Sequence, residues 1–200
     1  ERDPVVAWPR APLDDASLCP GPIELSAEES VARRVSRALQ FLRGRPVPPA
    51  GVGLVLGSGF GPVADLVTDP TIVSYGEIPG FPRSSVPGHR GRLVVGALHG
   101  VPVAILDGRV HPYEGIEAGE AAIPIHVLRG LGCAVLIVTN ASGGIDPSLH
   151  PGDLLLITDH LDLVGLAGGN PLRGPPGDAE RTPFVAMKDA YDPALLDVAR

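Results

Sequence analysis

The sequence predicts an α/β fold in which a central mixed β-sheet is flanked by helices in a three-layer arrangement. Short apolar runs at 51–56, 101–106, 134–139 and 153–158 have strand length and alternate with stretches of helical periodicity. His99-Gly100 joins two extended segments, 92–97 and 101–106, tightly enough for a hairpin, so part of the sheet is antiparallel. Strands separated by helices account for the parallel remainder.

Taken in order, residues 1–25 hold five prolines and little periodicity and read as a proline-rich N-terminal tail. Residues 26–200 are expected to form a single domain. Ser26-Ala27-Glu28-Glu29 has the form of a capping box, and Val31, Val35, Ala38, Leu39 and Leu42 follow at helical spacing. A helix is therefore expected from about residue 27 to 43, ended by Pro46, Pro48 and Pro49. The run 51–56 reads as a buried strand closed by Gly57-Ser58-Gly59-Phe60-Gly61-Pro62, and Pro62 suits the first turn of a following helix.

After the hairpin, 117–131 is expected to be helical with Gly132 as its stop. The runs 134–139 and 153–158 are expected to be further buried strands. Residues 168–183 are rich in glycine and proline and read as loop. Asp192-Pro193 opens a last helix that reaches Arg200 without a stop signal, so the domain is expected to be C-terminally incomplete.

Composition narrows the function. The net charge is −7, with no basic block, which argues against a nucleic-acid partner. No apolar run approaches the roughly 18 residues of a membrane span, and the first residues lack the order of a signal peptide. Cys19 and Cys133 are far apart, as expected of reduced thiols in a cytoplasmic protein. The six histidines never pair at three or four residues, and no Ser/His/Asp set is evident, so neither a metal nor a serine nucleophile is expected.

Chemistry concentrates in four segments. Asp107-Gly108-Arg109-Val110-His111-Pro112-Tyr113-Glu114-Gly115 follows an apolar run and sets a guanidinium, an imidazole and a phenol at alternate positions. On an extended segment alternate side chains point the same way, and a guanidinium beside an imidazole suits a small dianion such as phosphate. Gly57-Ser58-Gly59-Phe60-Gly61 offers backbone amides and a hydroxyl, though it is neither a P-loop nor a dinucleotide fingerprint. Val86-Pro87-Gly88-His89 supplies a second loop imidazole. Val138-Thr139-Asn140-Ala141-Ser142-Gly143-Gly144 empties a strand into small residues, a floor for a planar or phosphorylated ligand beyond the strand's carboxyl end. Each segment alone is equally a structural turn or a solvated loop. Together they suggest phosphate beside a sugar, with bound phosphate itself as the nucleophile.

These segments, with Ile78-Pro79-Gly80-Phe81-Pro82 and Asp159-His160 through Asn170-Pro171-Leu172-Arg173-Gly174, occur in an order that resembles the trimeric purine nucleoside phosphorylases. The resemblance covers roughly 51–192. It implies a nucleoside phosphorylase fold and phosphorolysis of purine (2′-deoxy)ribonucleosides, of inosine and guanosine type, to free base and (deoxy)ribose 1-phosphate. It implies phosphate binding by Ser58, His89, Arg109, His111 and the Ala141 amide, with His89, His111 and Glu114 as the catalytic group. Glu114 would orient His89 or His111. Tyr113 would contact ribose, and Asn140 and Ala141 would floor the ribose and base. Orthophosphate would be a co-substrate, with no cofactor, and the assembly a homotrimer working in purine salvage.

The pattern departs from the family at Ser142, usually a second alanine, and at Leu166, often an aromatic reaching into a neighbouring subunit. The family's base-recognising residues would lie beyond Arg200. Two alternatives stand beside this expectation: a 5′-methylthioadenosine phosphorylase, and a non-catalytic phosphate- or nucleotide-binding α/β module.

Overall fold

The computed structural model describes residues 30–83, 90–166, 187–188 and 190–200. The N-terminal tail, the 26–29 capping box, His89 and the loop 168–183 lie outside the described residues. The first described helix, α1 (Val31–Arg43), is capped by Ser30, whose hydroxyl accepts the Arg33 N–H at 3.3 Å. Its apolar stripe buries Ala38 and Leu42 completely, and Val31, Val35 and Leu39 pack beside them.

Strand β1 (Val52–Leu56) leads into the glycine turn. The helix that follows is a six-residue 3₁₀ helix, Gly61–Leu66, with Pro62 in its first turn. So short an element carries little dipole. An anion near the turn would meet backbone amides and Ser58 rather than the end of a long helix.

Strand β2 (Thr68–Ser74) has no counterpart in the sequence reading. It contains Asp69-Pro70, with Asp69 at φ 48, and its pairing slips between Thr68 and Thr71. A bulged strand holding proline belongs at a sheet edge, and β2 is one. Strands β3 (Arg92–Leu98) and β4 (Val101–Asp107) form the expected hairpin. His99 and Gly100 both have positive φ, 48 and 80, the conformation of a type I′ turn.

Helix α2 (Ala118–Gly130) lies within the expected bounds and buries Ile123, Pro124, Val127 and Leu128. It packs against α1, where the Arg34–Glu120 ion pair joins the two helices. Strand β5 (Val135–Val138) follows, then a single-turn helix α3 (Leu163–Leu166) and α4 (Pro193–Ala199). The Asp192 carboxylate accepts from the Ala194 and Leu195 N–H groups and caps α4 as its Asp-Pro start suggests.

The five strands form one mixed sheet in the order β2-β3-β4-β1-β5, antiparallel through β2, β3 and β4 and parallel through β4, β1 and β5. Alternation divides its two faces. Val55, Leu93, Val95, Ala104 and Leu106 point to α1 and α2, whereas Leu54, Leu56, Val94, Val103 and Ile105 meet the 3₁₀ segment and Val67.

Two strand expectations are corrected. The run 134–139 does form a strand, but it is an edge and is not buried: Leu136, Ile137 and Val138 are all at least 43% exposed. The run 153–158 is no strand, and Leu154 is 86% exposed. Strand structure requires a ladder partner, and β5 pairs only with β1 among the described residues.

Candidate active site

Parallel pairing brings three of the sequence-predicted segments to one edge of the sheet. Leu56 is in register with Asp107, and Val55 with Val138. The carboxyl ends of β4, β1 and β5 therefore lie side by side, at the strand spacing of about 4.8 Å. From them emerge Gly108-Arg109, Gly57-Ser58 and Thr139-Asn140-Ala141.

The β1 and β5 ends are pinned together. Thr139 Oγ1 accepts the Gly57 N–H at 2.9 Å and donates to the Val55 carbonyl at 3.1 Å. A Cβ at Gly57 would fall 2.5 Å from the Thr139 carbonyl oxygen and 2.9 Å from Asn140 Cα, which leaves room only for glycine. Gly57→Ala is accordingly expected to destabilise the fold by about 2 kcal/mol. It would also part Ser58 from Asn140. Urea unfolding checks the first effect, and an unchanged midpoint would show that the two turns can separate freely.

Beyond β4 the chain bends at Gly108, with φ 106, and burial then alternates. Val110 is buried while Arg109 and His111 are half-buried. The alternation stops there. Pro112–Glu114 is a 3₁₀ turn closed by Gly115 at φ 79, and Tyr113 belongs to this turn rather than to a strand. Tyr113 still reaches the imidazole: its ring stacks on His111 at 4.8 Å between centroids and 14° between planes, with the residue 74% exposed. Glu114 accepts the His111 N–H at 2.7 Å and sits 3.1 Å from Nδ1. With its side chain only 5% exposed, Glu114 fixes both the backbone and the ring orientation of His111.

A hollow of about 270 Å³ opens between the sheet and α2, lined by Val55, Tyr75, Leu106, Arg109, Pro124 and Val138 among others. Among the described residues, Arg109 is the one site candidate in its wall; Ser58, His111, Tyr113 and Asn140 do not line it. Ser58 and Ala141 are exposed and Asn140 is half-buried at the strand ends themselves. The described candidates thus share a sheet edge, and the hollow is mainly apolar space behind it.

Sequence reasoning missed an ion cluster next to these residues. Asp107, 2% exposed, accepts from Arg92 Nε at 2.8 Å and lies 3.6 Å from Arg90. Asp65 receives Arg90 in a two-pronged contact, 2.6 and 3.0 Å, and Arg92 at 3.0 Å. Hydrogen bonds from Arg90 and then Arg92 hold the Asp65 carboxyl below its ordinary value, and Asp65 in turn raises Arg90. The sequence carried a signal for its centre: in a hairpin turning at His99-Gly100, position 92 falls opposite 107, as it does here.

Among the described residues, no group of three His, Cys, Asp or Glu side chains is gathered as a metal would require, and no helix is long and apolar enough to cross a membrane. Burial raises the Cys133 thiol above its ordinary value.

Comparison with known proteins gives these features a context. A model of the phosphorylase superfamily matches residues 51–200. The purine nucleoside phosphorylase of Anopheles gambiae is 46% identical over 149 residues, 74% of this chain and 42% of that protein. Purine nucleoside phosphorylase 1 of Geobacillus stearothermophilus is 42% identical over 166 residues, 83% of this chain and 60% of that protein. The chain thus spans about half the length of the curated relatives it matches. The crystal structure of the purine nucleoside phosphorylase from Schistosoma mansoni in complex with acetate superposes with a TM-score of 0.78 at 38% identity, covering 86% of this chain and 63% of that one.

Proposed function

Since the chain belongs to the phosphorylase superfamily, we propose that it carries the phosphate- and ribose-binding part of a purine nucleoside phosphorylase. Such an enzyme cleaves purine (2′-deoxy)ribonucleosides of inosine and guanosine type with orthophosphate, releasing the base and (deoxy)ribose 1-phosphate. One observation carries this: the turn bearing Ser58, the segment bearing Arg109 and the strand end bearing Asn140 and Ala141 leave neighbouring parallel strands. Similarity to purine nucleoside phosphorylases at 42–46% identity supports it.

In this mechanism Ser58, Arg109, His111 and the Ala141 amide hold the phosphate dianion, with His89 as a further ligand. Glu114 engages His111 at Nδ1, which assigns the phosphate-facing role to Nε2. Tyr113 contacts ribose, and Asn140 and Ala141 floor the sugar and base. Departure of the purine leaves an oxocarbenium-like sugar, and the adjacent phosphate anion both stabilises this charge and captures it at C1′. Holding phosphate against that carbon converts an encounter into an intramolecular step. Orthophosphate is consumed as a co-substrate, and no cofactor is needed. The same proposal includes a homotrimer in the cytoplasm, acting in purine salvage.

The complete protein is expected to release hypoxanthine from inosine only when orthophosphate is added, with ribose 1-phosphate formed in equal amount. Base release that ignores phosphate would end the proposal. Faster cleavage of 5′-methylthioadenosine than of inosine would move the assignment to the sister phosphorylase. Protection by phosphate against thermal unfolding without any cleavage would leave a binding module.

A further inference from the structure

Tyr75 lies at the junction of two segments next to the proposed phosphate ligands, and the chemistry above does not use it. It is 3% exposed and begins a 3₁₀ turn, Tyr75–Glu77. That turn is fastened reciprocally: the Ser74 hydroxyl accepts the Gly76 N–H at 3.3 Å, and Glu77 accepts the Ser74 N–H at 3.1 Å. The Tyr75 ring packs on Phe81 with centroids 4.9 Å apart.

Two hydrogen bonds run from Tyr75 in different directions. Its N–H donates to the Gly91 carbonyl at 2.8 Å, and its hydroxyl donates to the Gly108 carbonyl at 2.8 Å. Gly91 closes the circuit by donating its own N–H to the Asp107 carbonyl at 2.9 Å. The Gly108 carbonyl belongs to the peptide plane that also carries the Arg109 N–H, and Gly108 has φ 106, so its own backbone is permissive there.

We infer that Tyr75 is a positioning residue: its hydroxyl fixes the Gly108–Arg109 peptide plane and thereby aims the Arg109 guanidinium at phosphate. This rests on the phosphate site proposed above. Tyr75 and Arg109 line the same hollow, and the link between them is the Gly108 carbonyl that the phenol holds. A carbonyl held by a buried donor keeps one orientation, whereas a glycine peptide without that donor can rotate. Burial, with the Asp107 carboxylate adding to it, pushes the phenol well above its ordinary 10.0, so it remains a donor around neutral pH.

Tyr75→Phe in the complete protein tests this, because it removes the hydroxyl and keeps the ring. The KM for phosphate is expected to rise about fivefold to tenfold. The kcat at saturating phosphate and the KM for inosine should each stay within about twofold of wild type. Phe81→Leu serves as the structural control: it should lower the thermal midpoint and leave the phosphate KM unchanged. An unchanged phosphate KM in Tyr75→Phe, or equal changes in both variants, would overturn the role. Should Tyr75→Phe not fold, Ser74→Ala loosens the same turn from the surface, and a rise of about twofold to threefold in phosphate KM is expected; no rise overturns the inference. Wild-type cleavage without phosphate would instead remove the phosphate site itself, and the role of Tyr75 with it.

Discussion

Arg109→Ala is expected to lower kcat/KM for phosphate on the order of 100-fold, a loss of about 3 kcal/mol from removing a charged partner of the dianion. Arg109 emerges two residues beyond the end of strand β4, in the wall of the apolar hollow, which the buried Val110 also lines. Such surroundings are drier than the exposed Ser58 turn, so the guanidinium is the strongest anion ligand in the set. Titration of the variant with phosphate, followed by protection against thermal unfolding, separates binding from turnover. A variant that binds phosphate as tightly as wild type would take Arg109 out of the site and leave Ser58, His89, His111 and the Ala141 amide as the proposed anion ligands.

The second large effect concerns stability. Asp107→Ala should destabilise the fold by about 3 kcal/mol, because it strips a nearly buried carboxylate from Arg92 and Arg90. Arg92 keeps Asp65 at 3.0 Å and Arg90 keeps its two-pronged contact, which holds the loss at the lower end of the range for broken buried pairs. Urea or thermal unfolding measures it. A loss below about 1 kcal/mol would mean that the cluster closes around Asp65 and that Asp107 is dispensable.

The sign of the pH dependence follows from Asp65. Its folded carboxyl titrates below the ordinary 3.8, so its contribution is present above that value and is lost as the pH falls through the lower folded one.

How much of this was written in the sequence varies by element. Strands β1, β3 and β4 and helix α2 were legible because apolar runs bounded by glycine leave few alternatives to a buried strand, and a long periodic stretch leaves few to a helix. Strand β2 was not, since Asp69-Pro70 breaks any strand pattern and pairing with β3 alone overrides it. Apolarity at 134–139 and 153–158 could not show whether a partner would stand alongside, and that decides whether such a run is a core strand, an edge or an unpaired segment.

The candidate site shows the same division. The alternating burial of Arg109, Val110 and His111 is local and was therefore readable. Tyr113 reaches His111 by a turn that Pro112 and Gly115 impose, a route the extended spacing did not suggest. The bond from Thr139 to Gly57 and the brace from Tyr75 to Gly108 join residues 82 and 33 positions apart, so no local pattern could disclose them.

The two rims of the sheet are built unlike one another. Along β2, a bulge, a left-handed aspartate and a proline without an amide proton spoil any further ladder. Along β5, Val135–Val138 presents a half-bare apolar run that pairs only with β1 among the described residues. Obstruction to backbone pairing is therefore one-sided: the β2 margin carries it and the β5 margin does not.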